Sequence, residues 1–160
     1  MEPEKFSERG QGILKRAMKP PEPFKEEEWK DYKTAVERLN APELLDFYIN
    51  NNFNYRMDIT GCKNAKYVFS IKYGDCDDLA NFGKIALRRA GYSVFGRKIR
   101  TGFNPEDGHM GSGIILKDKQ YLLVVNFTKM GNRMSGPYEK ISDLDNNLVS
   151  GKRIIGASWW

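Results

Sequence analysis

The chain has 160 residues, of which 40% are hydrophobic and 29% charged, and its net charge is +5. This composition is typical of one soluble domain with a core of its own and excludes a disordered or fibrous chain. No run reaches the ~18 apolar residues of a membrane span. The opening MEPEKFSERG lacks the apolar segment of a secretory signal. We therefore expect a cytoplasmic protein, unless a leader has been removed.

The sequence predicts an N-terminal arm over 1–24 and a single domain over 25–160. Three prolines at 20, 21 and 23 forbid a continuous helix in the arm, apart from a short one over Gly12–Lys19. Two amphipathic helices follow. The first carries apolar side chains at helical spacing: Trp29, Tyr32, Val36 and Leu39. The second begins near Pro42, stops at Asn50–Asn52 and buries four residues: Leu44, Leu45, Tyr48 and Ile49.

The segment Tyr73–Gly91, YGDCDDLANFGKIALRRAG, places a cysteine at the start of a predicted helix. Its apolar stripe consists of Cys76, Ala80, Gly83, Leu87 and Ala90. The free N–H groups and positive dipole end of a first turn favour a thiolate, so Cys76 is a candidate nucleophile. The alternative is plain packing, because free cysteines are among the most buried residues.

The pattern upstream and downstream of this helix adds apolar packing and a sheet. In the segment from Phe53 to the start of this helix, we predict only that an apolar group packs beneath the helix: Tyr67, Val68, Phe69 and Ile71. After Gly91, β-branched and aromatic residues predict three strands, over Tyr92–Thr101, Gly111–Leu116 and Tyr121–Phe127. A short helix near 141–144 and a final strand or apolar end over 154–160, which docks back on the domain, complete the prediction.

The register of the second and third strands links the single histidine to an asparagine. If Asp118–Lys119 is the turn, Lys117 faces Gln120 and Asn126 faces Gly111. His109 lies two residues beyond Gly111 on the same face, and this diagonal relation brings side chains within reach. A four-residue loop over 117–120 gives the same register, whereas an odd-length loop would break it.

These positions predict a triad. Cys76 would supply the sulfur, His109 the base, and Asn126 a side-chain oxygen that fixes the imidazole. The backbone N–H of Cys76 would contribute to an oxyanion hole. A lone histidine or asparagine is more often structural, and it is the order and register of these two that favour catalysis.

The same residues carry a family resemblance over roughly 42–128. The order GDCDD, helix, strand, GH, strand, VVNF resembles the transglutaminase-like branch of the papain-like fold, and most nearly the bacterial transglutaminase-like cysteine peptidases. An upstream aromatic–Tyr–x–x–Asp stretch is matched loosely by Phe53, Tyr55 and Asp58. The Gly-Asp-Cys motif and its acids are matched by Gly74, Asp75, Cys76, Asp77 and Asp78. The family usually has aspartate where Asn126 stands, and the aromatic residue after the histidine is replaced by Met110.

The resemblance implies an α+β fold with a nucleophile helix packed on a small antiparallel sheet, preceded by helices. It implies acyl transfer from the amide of a protein or peptide substrate through a thioester on Cys76. Water as acceptor gives a peptidase or deamidase, and we favour this over an amine acceptor, which gives a crosslinking transglutaminase. Some relatives bind calcium through acids beside the cysteine. We expect no cofactor, with calcium at Asp75 and Asp77 as the alternative to acids that only complement the helix dipole.

A different class of function is a catalytically silent binding domain with a basic face. Six bases fall between Asp78 and Glu106, where the sequence has no acid: Lys84, Arg88, Arg89, Arg97, Lys98 and Arg100. Such a face suits an acidic partner, whereas the interpretation that we favour is the solvated face of a helix and the strand that follows it. No nucleic-acid signature accompanies these bases, so we do not expect a nucleic-acid partner. The two cysteines form no disulfide framework and lack common zinc-site spacing. The oligomeric state is open.

Overall fold

The computed structural model describes residues 31–58, 61–104 and 106–160. The predicted arm over 1–24, with its short helix over 12–19, and the predicted helix turn around Trp29 lie outside these residues. Among the described residues, no helix combines the length and the apolar character that a membrane crossing needs.

Five helices and nine strands are found within the described residues. The helices are α1 (Tyr32–Arg38), α2 (Pro42–Asn52), α3 (Ala65–Ile71), α4 (Cys76–Arg89) and α5 (Ile141–Leu148). The strands are β1 (Asn54–Tyr55), β2 (Tyr73–Gly74), β3 (Val94–Arg100), β4 (Gly108–Ile115), β5 (Tyr121–Val125), β6 (Phe127–Thr128), β7 (Gly131–Asn132), β8 (Ser135–Tyr138) and β9 (Gly156–Trp159).

The main sheet is antiparallel, with strand order β8-β5-β4-β3-β9. Apolar clusters lie on its two sides. One joins α1 to α4 with the sheet and includes Leu45, Phe82 and Val125. The other lies under α5 and includes Phe95 and Leu144. The chain is therefore an α+β protein in which the helix beginning at Cys76 packs on a small antiparallel sheet, as predicted.

Helix α4 starts where predicted because Asp75 stops the preceding strand and begins the turn. Asp75 has extended dihedral angles, and its N–H donates to the carboxylate of Asp78 at 3.1 Å. This is one half of a capping box and fixes the first turn. Ala80, Gly83 and Leu87 of the predicted stripe are buried, whereas Ala90 is exposed because it caps the end of the helix.

Two predictions of burial or exposure are corrected by the fold. Arg97 was expected on the basic face, but its guanidinium is buried and binds both carboxylate oxygens of Asp145, at 2.8 and 2.9 Å. Tyr67 was expected beneath α4, but its side chain is 53% exposed, because the helical period of α3 turns Val68 and Phe69 inward instead.

The hairpin between β4 and β5 differs from the predicted loop yet keeps the predicted register at its far end. Leu116, and not Lys117, faces Gln120, so three residues form the loop, with Lys119 at a φ of 62°. This odd-length loop would misalign the strands. A bulge between Ser112 and Gly113 opposes the shift, and Ser112 pairs with Val125 as the prediction requires.

Candidate active site

The three predicted site residues come from three separate elements that meet at one end of the sheet. Cys76 is the first residue of α4, His109 is the second residue of β4, and Asn126 lies between β5 and β6. Cys76 and His109 line a common cleft of about 540 Å³. The sequence positions therefore converge in space, while their catalytic roles stay predictions.

The His109 and Asn126 side chains are in direct contact. The Nε2 atom of His109 lies 2.6 Å from Oδ1 of Asn126, and Asn126 is 8% exposed. With Oδ1 so placed, an amide oxygen can only accept, so Nε2 must carry the proton. The Nδ1 atom of His109 then keeps its lone pair and is the nitrogen able to take a proton.

The surroundings of His109 favour its neutral form. Burial lowers the pKa of the imidazole, and the hydrogen bond to Asn126 opposes part of that shift. An imidazole with a pKa below its ordinary value of 6.5 is uncharged at neutral pH. His109 is thus available as a proton acceptor in the resting protein.

The surroundings of Cys76 favour the thiol and not the thiolate that the helix start had suggested. Burial raises the pKa of Cys76 to about 11. The N–H of Met110, which donates to the sulfur, lowers the pKa, while the charges of Asp75 and Asp77 raise it further. The thiol and the imidazole that line the cleft are therefore both neutral at rest, because burial outweighs the dipole of the first turn at Cys76.

A group of acids surrounds the start of α4. Asp78 is fully buried and accepts the backbone N–H of Lys63 at 2.7 Å and its ammonium group at 3.0 Å. The same ammonium group lies 2.7 Å from Asp58. Asp75 is 7% exposed and accepts the N–H of Asp58 at 3.1 Å. Lys63 thus compensates two carboxylates, but within the described residues it forms no ion pair with Asp75 or Asp77.

The cleft also contains residues that the sequence analysis did not assign to the site. Met57 and Phe103 line it and are 55% and 90% exposed. Lys98 and Arg100, exposed on β3, contribute positive charge. Exposed apolar side chains beside a concave site suit an extended peptide. A loop position gives no sequence signal for such exposure, so only the structure could place Met57 and Phe103 here.

Comparisons with known proteins give only distant likenesses. No family model and no curated protein matches the chain. It is similar to the structure of Legionella pneumophila LapG, with 18% identity and a TM-score of 0.45 over 78% of this chain and 75% of that one. The calcium-bound form of LapG gives 16% identity and a TM-score of 0.45 over 94% and 86%. A structure described as a candidate cysteine protease from Cytophaga hutchinsonii gives 20% identity and a TM-score of 0.35 over 94% of this chain and 47% of that one.

Proposed function

We propose that this protein is a thiol-dependent acyl-transfer enzyme that hydrolyses an amide bond of a protein or peptide. The observation that carries the proposal is the 2.6 Å contact between His109 and Asn126 beside the cleft that holds Cys76. A nucleophile, a base and a group that orients the base are the parts that covalent amide hydrolysis requires.

The first half of the reaction forms a thioester. As the sulfur of Cys76 attacks the carbonyl carbon, its proton passes to Nδ1 of His109. The carbonyl oxygen becomes negative and accepts the backbone N–H of Cys76, a first-turn donor that has no partner within the helix. His109 then gives the proton to the departing nitrogen, the C–N bond breaks, and an amine leaves. Asn126 holds the ring through the Nε2 proton throughout these transfers.

The second half regenerates the enzyme with water. His109 takes a proton from a water molecule as that water attacks the thioester carbon. The C–S bond then breaks, the sulfur recovers the proton, and the carboxylic acid leaves. Because both partners rest in their neutral forms, proton transfer accompanies attack instead of preceding it. An amine in place of water would give crosslinking, which is the alternative outcome of the same chemistry.

The experiment uses the two thiols of the chain as a matched pair. Burial raises the pKa of Cys62 to about 11, as it does for Cys76, but Cys62 is exposed and does not line the cleft with His109. Each thiol is studied alone, in Cys62→Ser or Cys76→Ser protein, with p-nitrophenyl acetate as an activated acyl donor. Release of p-nitrophenol gives the rate, and mass spectrometry locates the acetyl group.

We expect Cys76 to be acylated faster than Cys62 although it is less exposed. His109→Ala should slow Cys76 by about 100-fold, the lower range for loss of a general base, and leave Cys62 unchanged. Equal acylation rates at the two thiols, or a Cys76 rate that does not depend on His109, would refute the proposal that the protein is an enzyme. The catalytically silent binding domain would then be the better interpretation.

We also propose that Asp75 and Asp77 hold a calcium ion. The Oδ1 atoms of both are buried and have no hydrogen-bond partner within the described residues. Burial, followed by the neighbouring Asp77, raises the pKa of Asp75 to about 6. Paired carboxylates with unused oxygens fit a hard divalent cation, which prefers oxygen ligands. A bound cation would offset the two negative charges that raise the pKa of the Cys76 thiol.

A further inference from the structure

Asn126 lies outside the strands of the main sheet. Strand β5 ends at Val125, and β6 begins at Phe127, so Asn126 falls between the two. It is nevertheless 8% exposed, and a buried backbone N–H must find a partner. The group that orients His109 therefore depends on contacts from outside the main ladder.

Those contacts come from Asn132 and the residue after it. The side-chain oxygen of Asn132 accepts the N–H of Asn126 at 2.9 Å, and the carbonyl of Asn126 accepts the N–H of Arg133 at 3.2 Å. The Nδ2 group of Asn132 donates to the carbonyl of Val124 at 2.9 Å. Asn132 thus joins the backbone on both sides of Val125 and holds the turn that carries Asn126.

Asn132 is itself fixed to helix α2. Its Nδ2 group also donates to Oδ1 of Asp46 at 2.7 Å. Its backbone N–H donates to Oδ1 of Asn50 at 2.8 Å, and its carbonyl accepts Nδ2 of Asn50 at 3.1 Å. The Asn50 amide pairs with the Asn132 backbone as a neighbouring strand would. Gly131 permits this approach, because its φ is +97° and a Cβ there would lie 2.8 Å from Oδ1 of Asn50.

We propose that Asn132 is a positioning residue, which uses its anchor on α2 to hold Asn126 against His109. This inference rests on the proposed function. Asn132 is 9% exposed, and its side-chain oxygen and amide group are used in three hydrogen bonds of 2.7 to 2.9 Å. Removing the side chain would leave a buried N–H unpaired and let Asn126 move away from Nε2. The His109 ring would then be free to change rotamer, and with no fixed acceptor at Nε2 it would exist as a mixture of its two tautomers.

The single histidine of the chain allows a direct test, because an ¹⁵N NMR spectrum contains one imidazole. In the Cys62→Ser background we expect a predominant Nε2–H tautomer. Asn132→Ala should shift the ring nitrogens towards a mixture of tautomers and slow acylation of Cys76 by about tenfold, the equivalent of one lost buried hydrogen bond. Ile114→Val, a buried truncation in the same hairpin, controls for lost stability and should change neither readout.

A paired substitution provides rescue. Asn132→Asp keeps the acceptor for Asn126 but faces Asp46 with a second carboxylate, and adding Asp46→Asn restores a hydrogen bond with donor and acceptor exchanged. We expect the pair to recover part, but not all, of the Nε2–H tautomer that Asn132→Asp alone loses, because the carbonyl of Val124 still lacks its donor in both variants. If Asn132→Ala slows acylation but leaves the tautomer unchanged, or changes neither, the positioning role is wrong. If His109→Ala does not affect acylation, the proposed function fails, and the tautomer measurement still decides the role of Asn132.

Discussion

Gly83 of α4 lies against Val125 of β5 with no room for a side chain between them. A Cβ on residue 83 would overlap the Cγ2 atom of Val125 and lie 3.2 Å from Cδ2 of Leu45. Gly83 belongs to the helix that begins at Cys76, and Val125 directly precedes Asn126. The absence of a side chain at Gly83 therefore lets α4 approach β5 closely, and this spacing fixes how the start of the helix lies relative to Asn126.

Gly83→Ala should therefore push α4 away from the sheet. We expect a loss of about 1–3 kcal/mol in the free energy of unfolding, which is typical of an overpacked core, although alanine favours helix. Urea denaturation measures this loss, and acylation of Cys76 should slow as well. Val125→Ala creates space for the new methyl group, so the double variant should lose less than the sum of the two single ones. Simple additivity would show that the contact does not set the spacing.

The buried pair of Arg97 and Asp145 joins β3 to α5. Its side chains are 9% and 7% exposed. Asp145→Ala leaves the guanidinium buried without its partner, which costs about 3–5 kcal/mol in unfolding free energy. Glu37→Ala breaks the exposed pair with Arg89, whose atoms lie 3.9 Å apart, and should cost less than about 0.5 kcal/mol. Similar losses from the two substitutions would contradict the assignment of Arg97 to the interior.

Asp46 should make stability depend on pH. Burial raises its pKa from 3.8 to about 6, while the hydrogen bond from Asn132 opposes that shift. Between these values the folded chain holds a proton that the unfolded chain has released, so unfolding free energy falls as pH rises from about 4 to 6. Asp46→Asn removes this cost and should be more stable than the wild type by up to about 3 kcal/mol at pH 7, but not at pH 3.5. A difference that is constant across pH would contradict the shifted pKa.

The calcium proposal predicts binding that needs both carboxylates. Isothermal titration of the full chain with CaCl₂ should show one site, and calcium should raise the melting temperature. Asp77→Asn should abolish both effects. Glu106→Gln removes a carboxylate from the same cleft and serves as the control, because Glu106 is exposed and lies outside the pair. Binding that persists in Asp77→Asn, or is lost in Glu106→Gln, would place the ion elsewhere.

The sequence was informative where a local pattern decides the structure. The period of apolar residues predicted α4 and its start at Cys76, and the alternation of β4 and β5 predicted the contact between His109 and Asn126. The prediction of this contact assumed a loop of the wrong length. The loop has three residues and not two or four, and the bulge near Ser112 restores the register. Loop length and bulge compensate each other, and sequence alternation alone cannot reveal either.

The features that the sequence did not reveal depend on long-range burial. Asn50 was interpreted as a helix stop, yet its side chain is hydrogen-bonded to Asn132, 82 residues away. Arg97 was interpreted as part of a charged surface because its partner Asp145 follows 48 residues later. The pKa of Cys76 depends on how deeply the fold buries the sulfur, whereas the sequence showed only the helix start.

The site is built from α4, β4 and the end of β5. The order in which these elements form therefore determines when Cys76 becomes reactive during folding. Helix formation can present Cys76 early, because its contacts are local. The contact between His109 and Asn126 spans 17 residues and requires a closed hairpin, which forms more slowly. We therefore expect a newly made or partly denatured chain to carry an ordinary, slow thiol. Rapid acylation of Cys76 would report that the last strand of the site has docked.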